Sequence, residues 1–505
     1  MAMLQLLIQQ WTLFLCLMVS VPLLLLLARR SFAGKGLKLP PGPARLPVIG
    51  NLHQLAGPLQ HRTLAELARR YGPVMLLRLG ATPTLVVSSA SAAREVLKTH
   101  DLDCCTRPAM PGPKRLSYGF KDVTFAPYGE QWRERRKLFI TELLSMRRVK
   151  AAWGARQVQI DKLMASLIPN KPVALGEHIY GLVNGIIGTV AFGSIYGVEM
   201  VAHKTQFHRV LDEALDLQAT FSAEDFFPNA AGRLVDRLTG LVASRDRLFA
   251  NIDAFFEMVI EHHLNPKREG SDLVDVLISF SKEQPDFTRD HVKAIIMDTF
   301  VGGVNTSSVT IMWAMSELIR NPVVLKKVQE EIRMVAGGND RVQPEDMPKL
   351  SYLKMVVKET LRLYPSVPLL LPRETMRHIK IGGYDVPAKT RVLVNAWAIG
   401  RDPASWGEDA GEFNPDRFVD KEVNLQGTHF QLLPFGAGQR MCPGIAMALT
   451  NVEFTLANLL CGFQWELPEG TKAEDVSMEE VGLLTFHRKT PLVLVPTVYH
   501  PERRQ

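Results

Sequence analysis

The first pattern along the chain is an apolar run at the N-terminus that holds no charged residue. Its core, Trp11 to Ala28, reads WTLFLCLMVSVPLLLLLA. As a helix it would span about 27 Å, close to the hydrocarbon thickness of a membrane of about 30 Å, and apolar residues from Leu4 onwards extend it. The pattern predicts a transmembrane signal-anchor helix over residues 4–28.

The charges that follow this run predict its orientation. Residues 29 to 45 contain five basic residues, and the first acidic residue of the chain is Glu66. By the positive-inside rule, this asymmetry places the rest of the chain in the cytosol. The alternative, a cleaved signal peptide, would have a basic residue before the apolar run and a small-residue cleavage site after it, and both are missing. The prolines of LPPGP (Leu39–Pro43) make residues 29–50 a basic, proline-rich hinge.

Beyond the hinge, short strand-like runs flank a long region of helical periodicity. Two β-like runs surround Gly80 to Pro83 between residues 74 and 88, and similar runs recur at 378–395 and 483–495. The longest helical period runs from about Thr288 to Arg320 and would form about 50 Å of helix. Residues 51–500 contain no internal repeat and no linker. They predict one catalytic domain that is mainly α with a small β region (α+β).

Composition excludes several classes of protein. Of the 505 residues, 46% are hydrophobic and 22% are charged, which argues against disorder and against a multi-span membrane protein. The net charge is +7, and because the five basic residues of the hinge account for most of it, no nucleic-acid partner is expected. Five cysteines without a CxxC pair exclude a disulfide scaffold and a zinc ribbon.

One cysteine lies in a setting that indicates chemistry. The segment PFGAGQRMCPG, Pro434 to Gly444, precedes an apolar pattern that predicts a helix from about Ile445 to Leu460. Its glycines allow a tight turn and a close approach of the backbone to a flat ligand, and Pro443 suits the first position of a helix. Cys442 would then lie at a helix N-terminus, where the helix dipole and free N–H groups favour a thiolate. The alternative is an inert core cysteine.

The middle of the long helical period is unusual for a helix. Gly302 and Gly303 each cost about 1 kcal/mol there relative to alanine, and Thr306 lies one turn after Gly302 on the same face. Such a segment predicts a widened groove where a ligand approaches the backbone. Close packing of a neighbouring helix against the glycines is the alternative.

Taken together, these motifs resemble the cytochrome P450 family, and within it the plant microsomal enzymes. The loop matches the haem-binding pattern FxxGxRxCxG at every fixed position, namely Phe435, Gly438, Arg440, Cys442 and Gly444. The segment KETLRLYP supplies the family's ExxR pair, Glu359 and Arg362. The resemblance covers essentially the whole chain, and it implies the P450 fold with a single N-terminal transmembrane helix.

The resemblance implies haem b (iron protoporphyrin IX) as the cofactor, with Cys442 as the axial thiolate ligand of the iron, which favours O–O cleavage. It implies further haem contacts from several segments of the chain: Trp132, Arg136, Arg373, Phe435, Gly438 and Arg440. Glu359 and Arg362 would be structural, joined by Arg417 of FNPDRF in a charge network that holds the haem-side scaffold.

The long helix matches the family's oxygen-activation motif, with one departure. Gly302, Gly303 and Thr306 align with it, and the resemblance implies that the Thr306 hydroxyl relays protons to the reacting oxygen. Asn305 stands where the family usually has an acid. Because asparagine can orient a water molecule but cannot deliver a titrating proton, we expect slower or leakier oxygen activation than in a relative with the acid.

The segments that line the family's substrate pocket carry apolar residues here. Those implied to contact substrate are Phe125, Phe221, Val301, Val367, Leu370 and Leu484. Ordinary core packing is the alternative for each of them.

The implied function is a haem-thiolate monooxygenase that uses O2 to oxidise a small, aromatic plant specialised metabolite. No nucleotide-binding glycine fingerprint follows a strand, so electrons from NADPH would arrive through the partner NADPH–cytochrome P450 reductase at the endoplasmic reticulum membrane. The segments DFFPNAAGR and GLLTFHRKTPL narrow the resemblance to enzymes that convert an aldoxime to a nitrile and a cyanohydrin. The alternatives are an electron-independent dehydratase or isomerase, such as an aldoxime dehydratase, and a non-catalytic haem-binding membrane protein.

Overall fold

Most of the described chain is helical, as the periodicity predicts. The computed structural model describes residues 36–193, 213–214, 217, 220–265 and 272–500, so the predicted anchor over residues 4–28 lies outside it. The α-helices are α1 (Gln60–Tyr71), α2 (Ala90–Arg94), α3 (Asp101–Cys104), α4 (Pro111–Leu116), α5 (Glu130–Leu138), α6 (Met146–Ala151), α7 (Trp153–Ser166), α8 (Leu175–Phe192), α9 (Ala223–Phe226), α10 (Ala230–Leu238), α11 (Leu241–His263), α12 (Leu273–Glu283), α13 (Arg289–Arg320), α14 (Pro322–Ala336), α15 (Ser351–Leu363), α16 (Ala396–Ile399), α17 (Pro403–Trp406) and α18 (Ile445–Gly462).

The strands are short and confirm the small β region. They are β1 (Val74–Leu79), β2 (Thr82–Val87), β3 (Val173–Ala174), β4 (Arg373–Glu374), β5 (Ile379–Ile381), β6 (Tyr384–Val386), β7 (Arg391–Val394), β8 (Phe463–Glu466), β9 (Glu480–Gly482), β10 (Phe486–Arg488) and β11 (Val493–Val498). One sheet has the order β1-β2-β7-β4, in which β2 and β7 are parallel and the other neighbours antiparallel. A three-stranded sheet, β3-β11-β8, and the pairs β5-β6 and β9-β10 complete the β structure of the described residues.

Helix α13 is the central element and confirms the longest predicted period. Thr288 caps its N-terminus, with a backbone N–H that donates to His291 Nδ1, and the helix ends at Arg320 before Asn321 and Pro322. Its side chains are buried along most of its length, and it packs against α8, α15 and α18. A helix that is apolar on most faces must be enclosed on most sides, and this burial explains its position.

Among the described residues, α18 is the one helix long and apolar enough to cross a membrane. About two thirds of it, 67%, is buried inside the fold against α13, α14 and α7. The apolar composition of α18 is therefore explained by its burial as a core helix of the catalytic domain.

The described part of the predicted hinge lies on the β1-β2-β7-β4 sheet. Leu76 N donates to the carbonyl of Pro41 (2.9 Å), and Arg78 N donates to the Asn51 side chain (2.8 Å). A Cβ at Gly42 would come within 2.3 Å of the Leu76 carbonyl oxygen, so only glycine fits there. The proline-rich segment is thus fixed to the body from at least Pro41 onwards.

A buried charge network ties α15 to the segment that precedes the Cys442 loop. Arg362 donates from Nε and Nη2 to the Glu359 carboxylate, each at 2.7 Å. The same carboxylate accepts from Arg417 Nε and Asn414 N, each at 2.8 Å. Arg362 further donates to the Gly400 carbonyl. All three charged side chains are buried, so each depends on its partners for the solvation that water would otherwise supply.

We predict that Glu359→Gln strongly lowers the free energy of unfolding, by about 3–5 kcal/mol, because it leaves Arg362 buried without a counter-charge and removes one of the two carboxylate partners of Arg417, the other being Asp409. Denaturant unfolding measures the effect. Glu330→Gln is the matched control, since Glu330 pairs with Lys326 on an exposed helix face at 3.9 Å and should change little. Equal stability of the two variants would contradict the prediction.

Candidate active site

A cavity of about 290 Å³ lies between α13 and the loop from Pro434 to Gly444. Gly302, Gly303 and Thr306 line it from the helix, and Phe435 and Cys442 line it from the loop. The fold therefore brings the two motifs of the sequence together at one site.

The loop can reach the cavity because two of its glycines adopt left-handed backbone conformations. Gly436 has φ of +69° and Gly438 has φ of +68°. A Cβ at Gly438 would lie 2.3 Å from the Asp101 carboxylate, so the position is closed to any side chain. The turn is completed by Cys442 N, which donates to the Phe435 carbonyl (2.9 Å).

Cys442 precedes the helix instead of lying within its first turn. Helix α18 begins at Ile445, where its apolar pattern predicts, with Gly444 as its N-cap, so Pro443 lies two residues before the helix and not at its first position. Burial raises the pKa of the Cys442 thiol, while the Gly444 backbone N–H and the Arg136 guanidinium oppose that shift. The loop alone does not favour a thiolate, whereas coordination to a metal ion deprotonates a thiol outright.

Four arginines line the same cavity: Arg107, Arg136, Arg373 and Arg440. Among the described residues, the Asp101 carboxylate is the one within ion-pair distance of these arginines, 2.6 Å from Arg373 Nη1. Burial lowers the pKa of Arg440 to about 9, and Arg373 and Arg136 add like-charge repulsion. The cluster has more positive than negative charge and therefore fits an anionic group such as a carboxylate.

Arg107 was missed by the sequence reasoning. It is buried and donates to the carbonyls of Leu371 and Pro372 at 2.8 Å. Its neighbours in the chain give no helical or strand-like period and match none of the motifs described above. Only the tertiary contact between the segment around Arg107 and the residues before β4 reveals it.

Trp132 and Gly438 support the arginine cluster without lining the cavity. The Trp132 indole is buried, donates to the Val123 carbonyl (2.9 Å), and lies under the Arg440 guanidinium, 3.9 Å from the ring centroid. Arg136, one helical turn after Trp132, does line the cavity. In this structure the contact of Trp132 with the cavity is indirect, through Arg440.

The two glycines of α13 have different surroundings. A Cβ at Gly302 would meet no heavy atom within 4 Å, whereas a Cβ at Gly303 would lie 3.0 Å from Ile187 Cδ1 of α8. Both interpretations of the sequence thus apply, a ligand groove at Gly302 and close helix packing at Gly303.

Thr306 lies on the wall of the cavity, and Asn305 does not line it. The Thr306 hydroxyl donates to the Gly302 carbonyl (2.7 Å), and the Thr306 carbonyl accepts from the hydroxyls of Thr310 and Ser366. Asn305 is half-buried on the adjacent face of α13.

A second cavity of about 100 Å³ shares Gly302, Thr306 and Val367 with the first. Of the six residues assigned to the substrate pocket, five line these cavities. Phe125, Val301 and Leu484 line the second cavity, Leu370 lines the first, and Val367 lines both. Phe221 is 59% exposed and stacks on Phe226, outside both cavities.

The residues that line the first cavity supply the kinds of groups that would bind haem b. A sulfur ligand stands on one wall, an open glycine on the other, and cationic groups that match two propionates are clustered around it. Thiolate is a ligand suited to haem iron.

The comparisons with known proteins agree with this donor set. The family model of cytochrome P450 matches residues 40–495. The chain belongs to the cytochrome P450 family. It is 61% identical to the 4-hydroxyphenylacetaldehyde oxime monooxygenase of Sorghum bicolor, over 98% of this chain and 97% of that protein. It is 50% identical to the 2-methylbutanal oxime monooxygenase of Manihot esculenta, over 92% and 91% of the two chains.

The fold is that of solved P450 structures. A zebrafish cytochrome P450 with progesterone superposes with a TM-score of 0.73 at 26% identity, over 86% of this chain and 99% of that one. The predicted P450 fold is therefore confirmed, and with it the assignment of the chain as a monooxygenase, an oxidoreductase. The family also implies haem.

We predict that two alanine substitutions in this P450 differ in their effect on stability. Gly302→Ala should raise thermal stability, because helix propensity gains up to about 1 kcal/mol and no atom obstructs the methyl, but it should weaken binding of ligands that enter the cavity. Gly303→Ala should give a smaller gain or none, because Ile187 must move. Thermal unfolding and ligand titration measure both; a larger stability gain at position 303 would contradict the assignment.

Proposed function

We propose that the protein is a haem-thiolate monooxygenase that converts a small aromatic aldoxime to a nitrile and then to a cyanohydrin. The proposal rests on the 61% identity to an oxime monooxygenase of Sorghum bicolor, which extends over nearly the full length of both chains. A second relative is also an oxime monooxygenase. The small second cavity, apolar except for a few polar side chains, suits a small aromatic substrate.

In this proposal Cys442 would be the thiolate ligand of haem iron, and the arginine cluster would hold the propionates. Arg136, Arg373 and Arg440, which line the cavity, would contact the haem, with Arg107 as an additional partner. Phe435 and Gly438 shape the loop around the sulfur, and Trp132 positions Arg440. The bound haem would supply oxygen activation and an electrophilic metal centre for the oxime nitrogen.

Two side chains of α13, Thr306 and Asn305, bear on proton delivery in this proposal. The Thr306 hydroxyl faces the first cavity and can rotate from the Gly302 carbonyl towards a ligand, because hydroxyl donors turn to suit their acceptor. Asn305 can orient a water molecule but cannot replace the proton that Thr306 passes on. Dehydration of the aldoxime releases water without net oxidation. It therefore depends less on the delivery of protons through Thr306 than the hydroxylation of the nitrile does, because hydroxylation consumes O2 and two electrons.

The chain would work as a single-pass protein of the endoplasmic reticulum membrane, with an anchor at residues 4–28, a hinge at 29–50 and a cytosolic catalytic domain at 51–500. The basic run after the apolar segment supports this orientation. NADPH–cytochrome P450 reductase would supply the electrons, since the chain has no nucleotide-binding fingerprint of its own.

The second candidate is a dehydratase that stops at the nitrile, and Asn305 is the observation that favours it. Reconstitution of the full-length protein with reductase in lipid, with 4-hydroxyphenylacetaldehyde oxime as substrate, separates the two. The proposal predicts a cyanohydrin whose formation requires reductase, NADPH and O2. Nitrile as the sole product would support the second candidate, and no conversion of aldoximes would contradict both.

We predict that Asn305→Asp raises the fraction of NADPH consumption that appears as cyanohydrin and lowers the release of hydrogen peroxide severalfold, because a carboxyl group can supply the proton that an amide cannot. Product, NADPH and peroxide are measured in the same assay. Asn305→Gln, which keeps the amide, is the control. Unchanged coupling and peroxide release in Asn305→Asp would show that Asn305 does not limit oxygen activation.

A further inference from the structure

Two acidic side chains line the second cavity among its largely apolar neighbours. Asp298 belongs to α13, and Asp122 lies in the segment between α4 and α5. Asp122 is 1% exposed, and Asp298 lines both cavities. Since buried carboxyl groups carry a large desolvation cost, their placement at a cavity needs a physical reason.

One oxygen atom of each carboxyl group holds the local backbone. Asp298 Oδ2 accepts from Val123 N (2.7 Å) and Thr124 N (3.2 Å), and Asp122 Oδ2 accepts from Phe125 N (2.8 Å). These bonds fix residues 122–125 against α13. They account for one oxygen of each carboxyl group and not for the other oxygen of Asp122.

Asp122 Oδ1 is a buried acceptor with no hydrogen-bond partner within the part of the chain that the structure describes. Arg135 is the nearby cation, but its side chain donates to the carbonyls of Gln131 and Phe120 and forms no ion pair with either aspartate there. A buried acceptor left unpaired costs about 1–3 kcal/mol. Asp122 Oδ1 has almost no exposed area, whereas Asp298 is half-buried, so a ligand with an O–H or N–H donor would meet Asp298 first and satisfy Asp122 after a small shift of the Asp122 side chain.

The two carboxyl groups also influence each other. Burial raises the pKa of Asp298 to about 6 and raises the pKa of Asp122 well above its usual range, with a contribution from the charge of Asp298. The pair therefore favours a shared proton or a neutral donor over two full negative charges. A phenolic hydroxyl is such a donor.

The positions of the carboxyl groups suit a substrate that spans the joined cavities. Asp298 precedes Thr306 by eight residues, about 12 Å along the helix axis, and both line the second cavity. An aryl aldoxime with its oxime at the Thr306 end would direct its para substituent towards the aspartates. Apolar side chains, among them Phe125, Val301 and Leu484, line the cavity that the ring would occupy.

We propose that Asp122 and Asp298 form the specificity site of the substrate cavity, which accepts a hydrogen bond from the para-hydroxyl group of an aryl aldoxime. This inference rests on the proposed function, because it takes the second cavity as the substrate cavity. It assigns the preference between hydroxylated and unsubstituted aryl substrates to these two side chains.

The test compares matched ligands that differ only in the para position: hydroxyl, hydrogen and methoxy. Dissociation constants come from the change in the haem absorption spectrum when each ligand is added to the full-length protein. Each para substituent is titrated on three head groups, the aldoxime, the nitrile and the alcohol, so that binding is measured independently of turnover. The wild-type protein should bind each hydroxyl ligand about 10–100 times more tightly than its hydrogen and methoxy analogues, the range of a hydrogen bond to a charged or partly charged acceptor.

Asp122→Asn replaces the free acceptor with an amide donor and can keep the bond from Phe125 N. We expect the hydroxyl preference to fall at least tenfold towards parity and the methoxy ligand to gain relative affinity, because its oxygen can accept from the new donor. Asp290→Asn is the control: it removes one acidic charge from the exposed first turn of the same helix, where Asp290 pairs with Lys121, and should leave all ratios unchanged.

Equal affinity of the wild-type protein for the hydroxyl and hydrogen ligands would overturn the inference without any variant. A hydroxyl preference that persists in full in haem-containing Asp122→Asn would overturn it as well. A hydroxyl preference lost in Asp122→Asn with no conversion of aldoximes would support the specificity site and contradict the proposed function. Conversion of aldoximes without any hydroxyl preference would do the reverse.

Discussion

The constraint on which the site depends is the position of the Cys442 sulfur on the wall of the cavity that faces the central helix. Two left-handed glycines and the bond from Cys442 N to the Phe435 carbonyl hold the loop in one conformation. Burial raises the pKa of the Cys442 thiol, and coordination to a metal ion would remove its proton. The arginines around the same cavity supply the complementary charge for an anionic cofactor.

The described chain could be predicted well where the signal is local. The ends of α13 follow from Thr288, Asn321 and Pro322, and the glycines within it indicated a groove that the structure places at Gly302. The start of α18 at Ile445 follows from its apolar period, whereas Pro443, although it suits a first helical position, lies in the turn that carries Cys442 and continues to Gly444. Sequence periodicity does not contain that tertiary requirement.

Features that depend on distant segments could not be read from the sequence. Arg107 donates to a carbonyl more than 260 positions away, and Thr124 N, two residues after Asp122 in the same loop, donates to Asp298 across more than 170 positions. The contact of Pro41 with β1 fixes part of a segment that its composition describes only as stiff. Phe221 matches a pocket-lining segment by its position in the sequence, yet the structure places it outside both cavities.

The ligation of iron by Cys442 is the central claim of this account, and the carbon monoxide spectrum of the reduced protein tests it most directly. The wild-type protein should show the long-wavelength Soret band of thiolate-ligated haem. Cys442→His, which offers a nitrogen ligand, should retain haem but show the shorter-wavelength band of imidazole ligation. A wild-type spectrum without the thiolate band, or one that Cys442→His leaves unchanged, would contradict the claim.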